Sequence, residues 1–136
     1  MDDKSLAIGV DLGATKIATA LLARSGRVLR ARQAPTGAAD GAHACCQRVA
    51  DEIRALLGEQ SGDVVGIGIG SPGVVDSERG IIRDAINLAW GEFEIAKELS
   101  RRVGDLPVFL ENDANVNAVG EAMFGSARGS DNVVRS

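Results

Sequence analysis

Residues 5–33 constrain the fold most. They hold two segments of β character, SLAIGVDLG and KIATALLARSGRVLRARQ, and the second is broken by Ser25-Gly26, a turn signal. Three consecutive strands joined by short turns follow, with Leu12-Gly13-Ala14-Thr15 as the first turn. After a Gly/Ala/Pro-rich break at residues 35–41, Ala42, Cys45, Val49, Ile53, Leu56 and Leu57 recur at helical spacing and stop at Gly58. DVVGIGIG, residues 63–70, then alternates apolar residues with glycine, which suits a strand approached closely by another backbone or by a ligand.

From residue 71 to residue 90 the pattern is irregular, with a short strand expected at Gly80-Ile81-Ile82 and a loop at Asn87-Leu88-Ala89-Trp90. Phe93, Ile95, Ala96, Leu99 and Val103 describe a shorter helix ended by Gly104. Residues 107–111 read as a strand, 114–124 as a helix with Val116, Val119 and Met123 on one face, and 130–134 as the start of another strand. The order predicts an α/β layer architecture with a mixed sheet. Because the last strand is interrupted, more of the parent protein is expected beyond it.

A chain of 136 residues suits one domain rather than two, given about 100–200 residues per domain. Glycine fills 17 positions, above the usual share of about 7%, and implies many tight turns. The formal net charge is −4, with Lys and Arg scattered, so there is no electrostatic footprint for a polyphosphate backbone and no nucleic acid is expected as a direct partner. No apolar run approaches the roughly 20 residues of a membrane span, and Met1-Asp2-Asp3 lacks the order of a signal peptide. A cytoplasmic protein with no membrane partner is expected. Cys45 and Cys46 are adjacent, which builds neither a disulfide framework nor a metal knuckle, and a packed core position is the expectation for one of them. His43 is the only histidine, so this chain alone supplies no His-based metal cluster, no catalytic triad and no zinc ligands.

Three stretches carry chemistry. GVDLGATK, residues 9–16, sets an acid near the end of an apolar strand and a Gly-Ala-Thr turn before the next. Such a turn can aim backbone N–H groups into one concavity that holds a phosphate, with Thr15 adding a hydroxyl, Lys16 a charge and Asp11 an anchor for Mg²⁺. The alternative is an ordinary hairpin turn; a P-loop is absent. GIGSPG, residues 68–73, matches G-x-G-x-x-G literally, but Val74 to Gly80 has no helical periodicity, so no helix N-terminus is expected there to receive a pyrophosphate. A loop that lets a ligand lie against main chain fits better. LENDAN, residues 110–115, ends an apolar strand in polar residues. Asn112 or Asp113 caps a helix beginning at Ala114, a role worth about 1 kcal/mol, or Asp113 serves as a general base kept ionised by the positive helix end. The two roles are compatible.

Taken together, GVDLGATKIATALL, GIGIGSPGVVD, INLAW and PVFLENDANVNAVGEAMFG resemble, in order and spacing, the N-terminal lobe of the ROK family of bacterial sugar kinases and sugar-responsive repressors, and most of all its glucokinases. The resemblance implies an actin-like ATPase (ribonuclease H-like) lobe over residues 6–134, with a second lobe absent from this chain. It implies transfer of the ATP γ-phosphate to a hexose, glucose first, at the 6-hydroxyl, with ATP and Mg²⁺ as cofactors. Carried over by motif, Asp113 is the base; Asn112, Asp113, Gly73 and Asn87 lie along the sugar; and Asp11, Gly13, Ala14, Thr15 and Lys16 form the first phosphate motif, Ala14 standing where many members have glycine. A homo-oligomer is implied for the full-length protein, although no residue here fixes it. The family's second phosphate motif, its Glu-x-x-His sugar contacts and its Cys-rich zinc motif are absent, so zinc belongs only to the missing lobe and turnover by this chain alone is not expected. Two other classes stay open: a ROK-type sugar-responsive transcription regulator, although only residues 1–5 precede the first strand here, and a non-catalytic sugar-binding or assembly fragment.

Overall fold

The computed structural model describes residues 5–13, 15–58, 64–71, 74–76, 79–83 and 92–111. Strands β1 (Leu6–Leu12), β2 (Lys16–Ala23) and β3 (Val28–Pro35) form an antiparallel meander, as connections of a few residues require. The turn at Ser25-Gly26 falls where the sequence signals it, with Gly26 at φ 93° and its N–H on the Ala23 carbonyl. A short 3₁₀ turn, Ala38–Asp40, leads into α1 (Ala42–Leu57).

The crossover through α1 brings β4 (Val64–Gly70) alongside β1 in parallel register. A second excursion passes through the antiparallel pair β5 (Val74–Asp76) and β6 (Ile81–Arg83) and through α2 (Ile95–Arg102) before β7 (Val108–Glu111) joins β4 in parallel. The resulting five-stranded sheet has the order β3-β2-β1-β4-β7, antiparallel on one side of β1 and parallel on the other. It is the expected mixed sheet.

Alternation along the strands sends one set of side chains to one face. Ile8, Val10 and Leu12 of β1, Ile17 and Leu21 of β2, Ile67 and Ile69 of β4 and Leu110 of β7 share a core with Cys46, Val49, Ala50, Ile53 and Leu56 of α1 and Ile95 and Leu99 of α2. Both helices therefore lie on that face. Fully burying a Leu or Ile side chain contributes about 1.5–3 kcal/mol, so this layer is the main source of cohesion. Gly58, at φ 48°, stops α1 by donating its N–H to the Arg54 carbonyl, and the Arg30 guanidinium satisfies the Leu56 carbonyl at 2.7 Å.

Strand β3 is the sheet edge, and Val28 and Leu29 remain exposed there. Arg30 and Arg32 on the same strand, the latter paired with Glu52 at 2.8 Å, are of the kind that blunts an edge against further pairing.

The sequence expectations need amendment in three places. Phe93 precedes α2 rather than opening it: its carbonyl takes the Ile95 N–H, while its buried ring stands edge-on to His43 at 5.0 Å. The irregular stretch contains β5 as well as the expected strand at Ile81, and the pair is seated by Gly80, whose carbonyl takes the Ala96 N–H at 3.1 Å. A Cβ at Gly80 would come within 2.5 Å of that of Ala96, and its φ of 68° also favours glycine. Finally, both adjacent cysteines are buried, not one. The helix expected at residues 114–124 and the strand expected at 130–134 lie outside the described residues.

Candidate functional site

The three parallel strands end on the same edge of the sheet, where the last residues of β4 and β7 are level with the penultimate residue of β1. Asp11 lies beside Gly70, and Gly70 beside Glu111. In open α/β sheets the carboxyl ends of parallel strands are where ligands bind. Since Val10 and Leu12 point into the helix-covered core, Asp11 points to the opposite face. Its lateral neighbours on β2 and β4 are Ala18 and Gly70, so no bulky side chain crowds it from either strand. Partial burial pushes its carboxyl above the usual carboxylate range, and the Lys16 charge offsets that only in part. The ionised form is under-compensated, which favours the approach of a cation.

The β1–β2 turn sits at the same edge. The Gly13 N–H donates to the Lys16 carbonyl at 3.0 Å, and a Cβ on Gly13 would lie only 3.0 Å from that oxygen, so the closure suits glycine. Thr15 and Lys16 are exposed on its outer side. From the inner side Thr36 holds the turn twice: its hydroxyl donates to the Gly13 carbonyl at 2.8 Å, and its N–H to the Thr15 carbonyl at 3.0 Å.

Four of the sequence-designated residues, Asp11, Gly13, Thr15 and Lys16, are thus gathered at one end of β1 and β2. Ala14, Gly73, Asn87, Asn112 and Asp113 lie outside the described residues. Asn112 and Asp113 follow Glu111 directly in sequence, and Gly73 lies between Ser71, fully buried at the end of β4, and the start of β5. The G-x-G-x-x-G match is followed by the strand β5, not by the helix that a dinucleotide fingerprint requires.

The ROK family model matches residues 7–135. The chain belongs to the ROK family. Among ROK relatives, the glucokinase of Thermotoga maritima is 38% identical over 128 residues, covering 93% of this chain and 39% of that protein. The crystal structure of a ROK family glucokinase from Streptomyces griseus in complex with glucose and AMPPNP matches with a TM-score of 0.67 and 37% identity, over 89% of this chain and 37% of that one. A putative xylose repressor from Caldicellulosiruptor sp. is 32% identical over 124 residues, 88% of this chain and 31% of that protein. The chain spans 39% of the length of the curated glucokinases it matches. Its architecture is the actin-like ATPase lobe of the ROK sugar kinases.

In this ROK lobe the donor set fits magnesium better than zinc. Among the described residues no group of three or more His, Cys, Asp or Glu side chains could hold a metal ion. A carboxylate such as Asp11 at the strand edge is one of the one or two that Mg²⁺ commonly takes, the rest of its shell being water and substrate phosphate. Among the described residues no helix is long and apolar enough to cross a membrane.

Two members of this edge carry little sequence signal. Gly70 belongs to a glycine alternation that marks close approach without naming a partner, and Thr36 sits in a Gly/Ala/Pro-rich break with no local pattern around it.

Proposed function

We propose that residues 6–134 form the N-terminal lobe of a cytoplasmic, ATP-dependent ROK sugar kinase whose first substrate is glucose, phosphorylated at its 6-hydroxyl. The observation that supports this is the level alignment of Asp11, Gly70 and Glu111 at the carboxyl ends of three adjacent parallel strands, with the β1–β2 turn at the same edge. Phosphoryl transfer depends on positioning and charge stabilisation rather than on covalent chemistry, and such an edge supplies both.

In this proposal Gly13, Ala14, Thr15 and Lys16 receive the nucleotide's phosphates, the turn through its backbone and Lys16 through its charge. Asp11 would hold magnesium carried with ATP, which would offset the phosphate charge. Asn112 hydrogen-bonds the hexose, and Gly73 and Asn87 lie along it. Asp113 takes the proton of the sugar hydroxyl as that oxygen bonds to the γ-phosphorus, while the bond to the bridging oxygen breaks and ADP leaves. The second lobe supplies the remaining nucleotide and sugar contacts, any zinc, and the surface for a homo-oligomer; this lobe by itself does not turn over.

A second reading is favoured by the repressor likeness, which spans 88% of the chain. In a sugar-responsive regulator the sugar contacts persist without transfer. The test is the protein as encoded, incubated with ATP, Mg²⁺ and glucose, mannose, fructose, N-acetylglucosamine or N-acetylmannosamine, with sugar phosphate read by mass spectrometry. The kinase proposal predicts product, with glucose 6-phosphate formed at the highest kcat/KM. Product from none of these sugars, together with sugar-dependent retention of DNA from upstream of its own gene, would replace it with the regulator.

A further inference from the structure

We propose that Thr36 is a positioning residue that sets the shape of the β1–β2 turn and, through it, affinity for the phosphates of the nucleotide. This rests on the kinase function proposed above and adds to it a residue 20 positions and more away in sequence. Thr36 is 0% exposed and makes two separate holds on the turn, its hydroxyl on the Gly13 carbonyl and its N–H on the Thr15 carbonyl. Among the described residues of the turn, the Gly13 N–H, the Gly13 carbonyl and the Thr15 carbonyl are engaged, while the side chains of Thr15 and Lys16 are exposed.

Thr36 is itself fixed from α1. Its carbonyl accepts from Arg48 Nη1 at 2.7 Å and from the Cys45 thiol at 3.1 Å, and Arg48 is paired with Asp40. The turn is therefore linked through one buried threonine to the first two turns of the helix that covers the sheet. Burial alone does not call for threonine here, because valine fills the same volume; what valine lacks is the donor to the Gly13 carbonyl. A hydrogen-bonded threonine at a buried position, aimed at a turn rather than at its own strand or helix, is the arrangement expected where a backbone cradle has to be held in one shape before the ligand arrives.

The experiment compares wild type, Thr36→Val and Thr36→Ser in the protein as encoded. It reads Tm, AMPPNP affinity, and KM for ATP and for glucose separately. Thr36→Val is expected to raise KM for ATP and weaken AMPPNP about fivefold to tenfold, the scale of one lost hydrogen bond, with KM for glucose unchanged. Thr36→Ser, which keeps the hydroxyl, is expected to restore both. A Thr36→Val protein with wild-type KM for ATP, or one with a lowered Tm whose KM values for ATP and for glucose rise equally, would overturn the positioning role while leaving the kinase intact. A wild type that neither forms sugar phosphate nor binds AMPPNP would overturn the kinase function and this role with it.

Discussion

Asp11 and Gly70 stand side by side in parallel register at the carboxyl ends of β1 and β4, so the carboxylate at this edge has a neighbour with no side chain. The sheet thereby keeps an acid partly buried without giving it a full counter-charge. The proposed function gives that cost a purpose, since a cation arriving with the nucleotide would complete the pair.

The cost is measurable. Burial leaves the folded-state pKa of Asp11 above its unfolded value, so between those two values the folded state holds more protons than the unfolded one. Stability therefore falls as pH rises through that window and stays lowered above it. Asp11→Asn is expected to have a higher Tm than wild type at pH 7, with the difference vanishing below about pH 3.9, where the carboxyl is protonated in both states. The same variant is expected to lose magnesium-dependent turnover, so stability and activity move in opposite directions. Melting curves from pH 3 to pH 8 check the first part.

The two thiols should be silent in the native protein. Burial raises Cys45 and pushes Cys46 up to about 11, in each case against a smaller opposing pull from an arginine, Arg48 and Arg102 respectively. At pH 8 roughly one part in a thousand of Cys46 is thiolate, and the thiolate is the reactive species. A chromogenic thiol reagent is expected to label neither cysteine within minutes in native buffer and both on addition of denaturant. Fast native labelling would mean that α1 opens far more readily than its packing implies.

Much of this architecture is legible in the residues. The three-strand start, the helix ended by Gly58 and the glycine-alternating strand each carry a local signal, because turn residues and apolar periodicity act over a few positions. Val74–Asp76 carries none: three residues are too few to establish a period, and their place beside Ile81–Arg83 and β7 depends on tertiary contacts. Phe93 falls in the helical period by coincidence of spacing, yet its carbonyl serves the turn that precedes α2. At the candidate site, Asp11, Gly13, Thr15 and Lys16 are legible as a cluster because they fall within six residues of one another. Thr36 is not, because its hydrogen bond to Gly13 spans 23 residues and depends on β2 and β3 being paired first.

Thr19 offers a test of the core itself. It is 2% exposed on the helix-covered face of β2, between Ile17 and Leu21, and its hydroxyl has no hydrogen-bond partner among the described residues. An unsatisfied buried hydroxyl costs about 1–3 kcal/mol, and valine has the same shape without it. Thr19→Val is expected to stabilise the fold by about 1 kcal/mol, less than the full penalty because packing will not be perfectly retained. Chemical denaturation of the two proteins measures it, and a loss of stability would show that the hydroxyl is satisfied from outside the described residues.

The central claim is that phosphoryl transfer takes place at the carboxyl end of this sheet, with Asp113, two residues beyond β7, as the base. The most direct test is turnover of glucose with ATP by Asp113→Asn beside wild type in the protein as encoded, with glucose binding followed in parallel by calorimetry. A kcat lower by about 10²–10⁴-fold is expected, the usual contribution of a general base, with glucose still bound. Turnover by Asp113→Asn within a factor of about three of wild type would contradict it.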